Sequence, residues 1–409
     1  MNRPDRDGEA APPALDARAL SGLDPEGIAE VLVARGIARD AAVGWAVRTA
    51  AGWELGAGRA SVDGRLELEP VFDLASVTKP MTAFALARSG RLARTTLLAD
   101  VLDESRGSPT AEASLELLLA HRAGLEAHLP LFAPLVARAA RAAAGEPLDA
   151  DDPAWTFDKE RALACAAAAR RADAPGALPP DGFPPVYSDL GYILVGEALA
   201  RAEEARDAGE VVERRVARAL GRDDLGTART LARAPDFARR VRPTEVVAFR
   251  GGEIRGVVHD ENAWALTGDG GSGHAGMFGT APALLAFGCA ALDAIERGEG
   301  ALVPSAPGAR DLGWLVRPRP GGTLRAGFDA KSERGSSAGE RAGPRTFGHL
   351  GFTGTSLWID PDAGAVVVVL TNRVHPTREN VALRAARPVV HDALFALADA
   401  RLRRAGPPR

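Results

Sequence analysis

Apolar residues near both ends of the chain alternate or form unbroken runs, a pattern typical of β-strands. Ala41–Arg48 and Gly52–Gly58 predict two strands joined by a tight turn. Later in the chain, Thr346–Asp360 predicts one long extended run, and Pro361–Gly364 predicts a turn. Ala365–Thr371 is an apolar run (Ala-Val-Val-Val-Val-Leu-Thr), which is expected of a central strand covered on both faces.

Helical periodicity marks much of the remaining chain. It predicts an amphipathic helix from about Asp24 to Gly36 and a second helix from Val77 to Arg88. It also predicts a closing helix from about Glu379 to Arg404, interrupted near Pro388 because proline breaks the helical hydrogen-bond pattern. The middle of the chain, about Thr95 to Gly300, is rich in Ala, Leu and Arg and is predicted to be mostly helical.

Strands at both ends with helices between them predict an α/β (α+β) fold. We expect one mainly antiparallel sheet, assembled from the two ends of the chain and flanked by helices, with a helical lobe inserted. The α/β part would take about residues 21–95 and 301–409, and the lobe about residues 96–300. Residues 1–20 are charged and rich in proline and alanine, and they predict a loose N-terminal tail.

Composition excludes several classes of protein. With 46% apolar residues, the 409-residue chain can bury a full core and is not a disordered scaffold. Its net charge of −4, with acidic and basic residues interspersed, lacks the footprint of a nucleic-acid-binding protein. No stretch approaches the ~18 apolar residues of a membrane span, and Met1–Leu20 lacks the apolar core of a secretory signal. We therefore expect a cytoplasmic protein with no membrane span and no nucleic-acid partner.

The first candidate for chemistry is Ser76-Val77-Thr78-Lys79, at the start of the second predicted helix. A serine and a lysine three positions apart lie on the same helix face, and Pro80 suits a first turn whose amides are unpaired. A lysine can take the proton of a serine hydroxyl, while the N–H groups of a helix N-terminus can hold an oxyanion. The alternative is an N-cap serine followed by a surface lysine.

The second candidate is Tyr187-Ser188-Asp189, in a loop just before another helical pattern. A phenol has an ordinary pKa near 10, so Tyr187 needs neighbouring cations to act as a base at neutral pH. The alternative is that Ser188 or Asp189 merely caps the helix.

The third candidate is His349-Leu350-Gly351, on the predicted long strand. Strand alternation would place His349, Gly351, Thr353 and Thr355 on one face. Glycine within a strand often marks the close approach of another backbone or a ligand, and a histidine beside it could hold a substrate carboxylate. The alternative is a partly buried histidine at a sheet edge.

Taken together, the three motifs follow a known order. A Ser-x-x-Lys at a helix start, a later Tyr-x-Asp and a His-x-Gly near the end resemble the serine β-lactamase and penicillin-binding-protein superfamily. The resemblance is strongest to its class C-like branch, which also holds esterases and D-aminopeptidases. Three further stretches are similar to that branch, namely Leu119–Leu125, Gly273–Phe278 and Gly348–Gly354. The resemblance runs from about Val43 to the C-terminal helix.

This resemblance implies a role for each motif residue. Ser76 would be the acylated nucleophile and Lys79 its activator. Tyr187 would relay the proton between Ser76, the leaving group and the deacylating water. The backbone N–H groups of Ser76 and Phe352 would form the oxyanion hole, and His349 would replace the lysine of the family's third motif.

Two residues depart from the family pattern. Asp189 stands where many class C β-lactamases have Asn, and a carboxylate about 4 Å from Lys79 would hold the lysine charged, which favours Tyr187 as the base. His349 is largely neutral at pH 7, whereas a lysine there suits the carboxylate of penicillins and of peptides ending in D-Ala. We therefore expect weak β-lactamase activity and better turnover of neutral esters or amides.

The resemblance thus predicts a serine hydrolase that forms a covalent acyl-enzyme with an ester or amide and needs no metal or organic cofactor. Its substrate would be a small-molecule or peptide-like acyl compound. Two alternatives stay open. Within the family the protein could be a D-stereospecific peptidase or a true β-lactamase, and outside catalysis it could be a binding protein that keeps the cleft.

Other patterns are given no catalytic role. Gly268–Gly273 matches Gly-x-Gly-x-x-Gly, but no predicted strand leads into it, so a dinucleotide site is not expected. We predict instead that this loop forms a flexible rim of the substrate cleft. The scattered histidines His121, His128, His375 and His391 are interpreted as surface or core residues.

Overall fold

The computed structural model describes residues 15–147 and 156–406. The β-strands within these ranges are β1 Asp40–Thr49, β2 Gly52–Ser61, β3 Phe72–Asp73, β4 Leu225–Thr227, β5 Val246–Val247, β6 Gly252–Glu253, β7 Met277–Gly279, β8 Asp329–Ala330, β9 Phe347–Leu350, β10 Ser356–Asp360 and β11 Ala365–Thr371. The α-helices are α1 Pro25–Ala34, α2 Thr78–Ala87, α3 Leu115–Leu119, α4 Ala133–Ala143, α5 Lys159–Ala168, α6 Asp189–Ala202, α7 Ala208–Val212, α8 Ala228–Leu231, α9 Phe237–Arg240, α10 Glu261–Thr267, α11 Ala281–Arg297 and α12 Ala382–Ala405.

The main sheet has six strands in the order β2-β1-β11-β10-β9-β8, and every neighbouring pair is antiparallel. It is built from residues near both ends of the described chain, so the predicted α/β fold with a mainly antiparallel sheet is confirmed. A smaller sheet, β3-β7-β4, joins the segment that leads to Ser76 with the middle of the chain. The middle is therefore not purely helical.

Strand β11 is covered on both faces, as its unbroken apolar run predicts. All seven of its residues are buried. Alternate side chains belong to two hydrophobic clusters, one shared with α11 and the other with α1 and α12. Because period-two alternation sends successive side chains to opposite faces, a strand between two helical layers must be apolar throughout.

The prediction of one long strand over Thr346–Asp360 is wrong. The chain forms β9, reverses through residues 351–355 and returns as β10, with Leu350 opposite Ser356. Gly351 N donates to Thr355 O at 2.8 Å, and Gly354 adopts φ of +111°, which glycine reaches without strain. Within residues 351–355 only Phe352 carries a large apolar side chain, so no alternation supports a strand there, and Gly354 is the turn signal that the prediction passed over.

The closing helix α12 is continuous, so the predicted interruption near Pro388 is also wrong. Proline removes one backbone hydrogen bond and crowds the preceding turn. Here Leu383 and Ala386 before Pro388, and Val390 and Leu394 after it, are buried in one cluster against the sheet. Burial on both sides of the proline holds the helix together through the defect.

Two predicted boundaries shift. Residues 1–14 of the predicted loose tail lie outside the described residues, but Ala17–Leu20 forms a 3-10 turn and buries Leu20, so residues 15–20 are not loose. Helix α11 falls within the predicted lobe (residues 96–300), yet it packs on β1, β10 and β11, so the α/β part takes in residues before 301. In the described ranges no helix has the length and apolar character needed to cross a membrane.

The contact between β2 and α1 gives a test of the packing. A β-carbon at Gly58 would lie 2.1 Å from the backbone nitrogen of Glu26, so Gly58→Ala must push α1 away from the sheet. We expect Gly58→Ala to lower the free energy of unfolding in urea by about 1–3 kcal/mol, the usual cost of overpacking. Gly308→Ala is the control, because a β-carbon there meets nothing within 4 Å. An equal decrease of the free energy of unfolding in Gly58→Ala and Gly308→Ala would contradict this packing.

Candidate active site

Ser76 lies in a strained turn immediately before α2. The turn is the 3-10 segment Ala75–Val77, and Ala75 adopts φ of +47°, a left-handed conformation that is costly for a residue with a β-carbon. The buried carboxylate of Asp73 accepts the N–H of Ala75 at 2.8 Å, which stabilises the strained backbone. Ser76 is partly exposed between buried neighbours, so the turn presents its hydroxyl at the surface of a buried segment.

Lys79 is fully buried, not at the surface. Its ammonium donates to Ser76 Oγ at 2.9 Å, to Asp189 Oδ1 at 2.7 Å and to His274 O at 3.4 Å. These three acceptors match the three N–H bonds of an ammonium group. The structure therefore brings together Ser76 and Lys79 of the first motif and Asp189 of the second.

Charge pairing sets the protonation of Lys79 and Asp189. Burial is the largest single influence and would lower the pKa of Lys79, but Asp189 and Tyr187 together outweigh it, and the pKa is raised above its ordinary value. Burial would raise the pKa of Asp189, yet the ammonium of Lys79 holds this pKa well below its usual range. At neutral pH the site therefore contains a charged lysine and a charged aspartate, as the departure from Asn predicts.

Tyr187 lies beside this ion pair, with the centre of its ring 4.8 Å from Lys79 Nζ. Burial raises the pKa of Tyr187; the ammonium of Lys79 lowers it in part, and Asp189 raises it again. The net pKa lies above the ordinary value, so the phenol is protonated at neutral pH. A nearby cation therefore does not turn Tyr187 into a resting phenolate.

His121, predicted from the sequence to be a surface or core residue, positions Tyr187. Its ring stacks on Tyr187 with centres 4.8 Å apart, its O accepts from Val186 N at 3.3 Å and its Nδ1 accepts from Ser188 N at 3.0 Å. These contacts hold the backbone on both sides of Tyr187. His121 itself has φ of +60°. The sequence indicates His121 only through its position in Leu119–Leu125, one of the stretches that resemble the class C-like branch.

The turn 351–355 docks on the segment that leads to Ser76. Thr353 Oγ1 donates to Asp73 O at 2.8 Å, and Thr355 Oγ1 donates to Leu74 O at 2.9 Å. Gly351 permits this approach, since a β-carbon there would lie 2.6 Å from Leu74 O. Phe352, the predicted second oxyanion donor, is thereby brought next to the Ser76 turn. Its N–H has no backbone acceptor among the described residues.

His349 is buried on β9, with the centre of its ring 6.0 Å from that of Tyr187. Burial and the charge of Lys79 lower the pKa of His349 to about 3, so it is neutral at pH 7. Its Nδ1 lies 2.8 Å from Leu350 O, and a carbonyl only accepts, so Nδ1 carries the proton. His349 therefore contributes no positive charge to the site.

The glycine-rich loop Gly268–Gly273 is not a flexible rim. Residues 270–273 are buried, and a β-carbon at Gly273 would lie 2.0 Å from Tyr192 O. Thr82 Oγ1 donates to Gly273 O at 2.8 Å, which fixes the loop on α2. The glycines allow the loop to pass close to α6, so that His274 O reaches Lys79.

His128 also lies closer to the site than expected. Its Nδ1 is 3.8 Å from Asp189 Oδ2, and this contact raises the pKa of His128. The side chain is about half exposed. It is thus an ionisable group on the outer side of the Lys79–Asp189 pair.

A family model described as Beta-lactamase matches residues 33–391 of this chain. A putative D-alanyl-D-alanine carboxypeptidase from Salmonella gallinarum is 31% identical over 138 residues. The matched stretch covers 31% of this chain and 29% of that protein, so the chain spans less than a third of the length of this relative.

Two solved structures share the fold along nearly the whole chain. EstCE1, a hydrolase with promiscuous acyltransferase activity, is 19% identical with a TM-score of 0.62 and covers 93% of this chain and 99% of its own. A class C beta lactamase from Rhodobacter sphaeroides is 17% identical with a TM-score of 0.58 and covers 90% of this chain and 98% of its own. At this level of identity the likeness concerns the fold.

The ion pair gives a direct test. Asp189→Asn removes the charge that favours the Lys79 ammonium but leaves the burial that disfavours it, so the pKa of Lys79 should fall by at least about one unit. The change can be followed by a pH titration of 13C-labelled lysine by NMR, since the chain has only three lysines. Lys79→Met assigns the signal.

Asp189→Glu keeps the negative charge and serves as the control. We expect its Lys79 pKa to stay closer to wild type than that of Asp189→Asn. A folded Asp189→Asn protein with an unchanged Lys79 pKa would show that the carboxylate does not control this lysine.

Proposed function

The chain belongs to the beta-lactamase family, and from that premise we propose that it is a serine hydrolase that cleaves an ester or amide through a covalent acyl-enzyme. One observation carries the proposal. The buried ammonium of Lys79 bridges Ser76 Oγ at 2.9 Å and Asp189 Oδ1 at 2.7 Å. A cation at this distance stabilises the negative charge that develops on the serine oxygen as it loses its proton.

In the acylation step, Ser76 Oγ attacks the carbonyl carbon of the substrate. Its proton passes to the oxygen of Tyr187 while the proton of Tyr187 passes to the leaving alcohol or amine. Lys79 stays charged throughout, because Asp189 raises its pKa. This relay suits a tyrosine that is protonated at rest, since it needs no phenolate in the free enzyme.

Deacylation runs through the same groups in the opposite direction. A water molecule attacks the acyl carbon and gives its proton to Tyr187, and the proton of Tyr187 returns to Ser76 Oγ as the acyl bond breaks. In both tetrahedral intermediates the oxyanion would accept hydrogen bonds from the N–H groups of Ser76 and Phe352. The docking of Thr353 and Thr355 on Asp73–Leu74 supports this pairing of donors.

The substrate is proposed to be a neutral ester or amide of a small-molecule or peptide-like acid. The neutral state of His349 supports this choice, because it offers no cation to a substrate carboxylate. EstCE1, a hydrolase, shares the fold. A D-stereospecific peptidase is the second candidate, favoured by the partial match to the putative D-alanyl-D-alanine carboxypeptidase. The cytoplasmic location, the lack of a nucleic-acid partner and the independence from cofactors stay predictions from the sequence.

Ser76→Ala tests the proposed reaction. Wild-type protein should react with a fluorophosphonate probe and hydrolyse p-nitrophenyl esters, and both activities should disappear in Ser76→Ala because the attacking oxygen is gone. Mass spectrometry of the labelled protein should place the adduct on Ser76.

The control for this experiment is Ser305→Ala, which removes an exposed serine hydroxyl from a different part of the chain. It should keep both activities. A folded wild-type protein that neither labels nor hydrolyses any ester would favour the non-catalytic binding alternative, and hydrolysis that survives in Ser76→Ala would exclude this serine as the nucleophile.

Substrate charge gives a separate test. We expect kcat/KM at pH 7 to be about tenfold or more higher for p-nitrophenyl butyrate than for its carboxylate-bearing analogue, p-nitrophenyl hemisuccinate, since a charge-assisted hydrogen bond worth ~1.5–3 kcal/mol is missing. Turnover of nitrocefin should be weak.

The matched variant is His349→Gln, which is neutral like the histidine it replaces. The ratio of kcat/KM for the butyrate to kcat/KM for the hemisuccinate should stay within about twofold of the wild-type ratio. This change is well below the effect of losing a charge-assisted hydrogen bond. A large rise of the ratio in His349→Gln would mean that His349 carries a positive charge and would contradict the proposed preference.

A further inference from the structure

Arg387 is a half-buried cation behind the turn 351–355. It lies on α12, and its Nη2 donates to Gly351 O at 3.1 Å and to Thr355 O at 3.2 Å. Burial and the charge of Arg373 lower the pKa of Arg387 to about 10, so the guanidinium stays charged at neutral pH. Among the described residues it has no carboxylate within 4 Å, and its Nε has no hydrogen-bond partner.

A charge that is partly withdrawn from water and lacks a carboxylate partner is costly, because buried charges are usually paired. Here two peptide carbonyls are the acceptors. The positive charge is therefore not neutralised locally, and its field acts on the turn that contains Phe352.

The carbonyl of Gly351 and the N–H of Phe352 belong to the same peptide group. The peptide bond is conjugated, so a cation bound at the oxygen draws electron density from the nitrogen and makes the N–H a stronger donor. Gly351 O also accepts from Gly354 N at 3.1 Å, which adds to the same polarisation.

We propose that Arg387 polarises the Gly351–Phe352 peptide and thereby strengthens the Phe352 N–H as a donor to the reaction's oxyanion. This proposal rests on the proposed function, in which Phe352 N–H is one of the two oxyanion donors. Arg387 touches neither the substrate nor Ser76, so it acts through the peptide that it binds.

A simpler role for Arg387 would be a latch that holds α12 to the turn. Two substitutions separate the roles. Arg387→Lys keeps a cation, while Arg387→Gln keeps a neutral N–H donor, and either side chain can donate to a carbonyl. If charge polarises the peptide, the Arg387→Lys variant should retain more activity than Arg387→Gln. If Arg387 is only a latch, the two variants should lose similar amounts of activity. Arg384→Gln, which removes an exposed arginine from the same helix, is the control.

The first measurement needs no enzymatic activity. Labelling glycine with carbonyl 13C and phenylalanine with 15N selects the amides of the three Gly–Phe pairs in the chain, at Phe183, Phe328 and Phe352. The Phe352 amide signal should move upfield in Arg387→Gln, by less in Arg387→Lys, and not in Arg384→Gln. Phe183 and Phe328 are internal references. An unmoved Phe352 signal in Arg387→Gln would overturn the proposal.

The second measurement concerns the reaction. With p-nitrophenyl butyrate, kcat/KM should fall about tenfold in Arg387→Gln, less than the ~100- to 1,000-fold typical of removing an oxyanion donor outright. Binding of phenylboronic acid, whose tetrahedral adduct places an oxygen in the oxyanion hole, should weaken by a similar factor. A lowered melting temperature with unchanged boronic acid affinity, or equal losses in the Lys and Gln variants, would establish a latch instead.

These outcomes separate the two proposals. If wild-type protein hydrolyses no ester, the proposed function fails, while the Phe352 signal still decides whether Arg387 polarises this peptide. If hydrolysis depends on Ser76 but is unaffected by Arg387→Gln, the proposed function stands and the inference about Arg387 is wrong.

Discussion

The arrangement of the site depends on the buried ammonium of Lys79. A charge without water must be met by acceptors from the protein, and these come from three distant parts of the chain: the Ser76 turn, the start of α6 at Asp189, and the glycine-rich loop at His274. Removing one partner of a buried ion pair typically costs ~3–5 kcal/mol. The ammonium of Lys79 thus connects α2 to the start of α6 and to the glycine-rich loop, which both belong to the middle of the chain.

A second constraint joins the Ser76 turn to the late strands. Thr353 and Thr355 bond to the carbonyls of Asp73 and Leu74, while Asp73 holds the strained backbone of Ala75. The hairpin β9–β10 therefore cannot move without disturbing the position of Ser76. Two of the cations near this junction, Lys79 and Arg387, differ in their partners: Lys79 is neutralised by Asp189, whereas Arg387 donates to carbonyls. The charge of Arg387 lies at the carbonyl oxygen of the Gly351–Phe352 peptide, opposite the N–H that would face an oxyanion.

Periodicity and spacing predict the elements that depend on local patterns. The unbroken apolar run of β11 follows from its burial between two helical layers. Ser76, in the 3-10 turn before α2, meets Lys79 in α2 because the two residues are three positions apart. The hairpin at residues 351–355 is indicated only by its glycines, which also occur within strands where another backbone comes close. Burial of the glycine-rich loop depends on the close approach of α6, a tertiary contact that no local pattern records.

Single residues with no periodic partner are the hardest to predict. His121 positions Tyr187 through a stack and two backbone hydrogen bonds, but one histidine in a chain carries no spacing signal of its own. Arg387 is one of many arginines, and its sequence neighbours do not distinguish it from the exposed Arg384. In both cases the importance of the residue comes from the peptide groups it contacts, which are far away in the sequence.

The protonation of the site restricts how a proton can move. At neutral pH the raised pKa values of Lys79 and Tyr187 leave both groups protonated, and the pKa of Asp189 is too low for it to keep a proton. None of these three groups is then a free base of useful strength for the Ser76 proton. Tyr187 can accept that proton only as it releases its own, so the leaving group must be aligned with the tyrosine when attack begins. In the proposed relay, the contacts of His121 on both sides of Tyr187 would maintain this alignment.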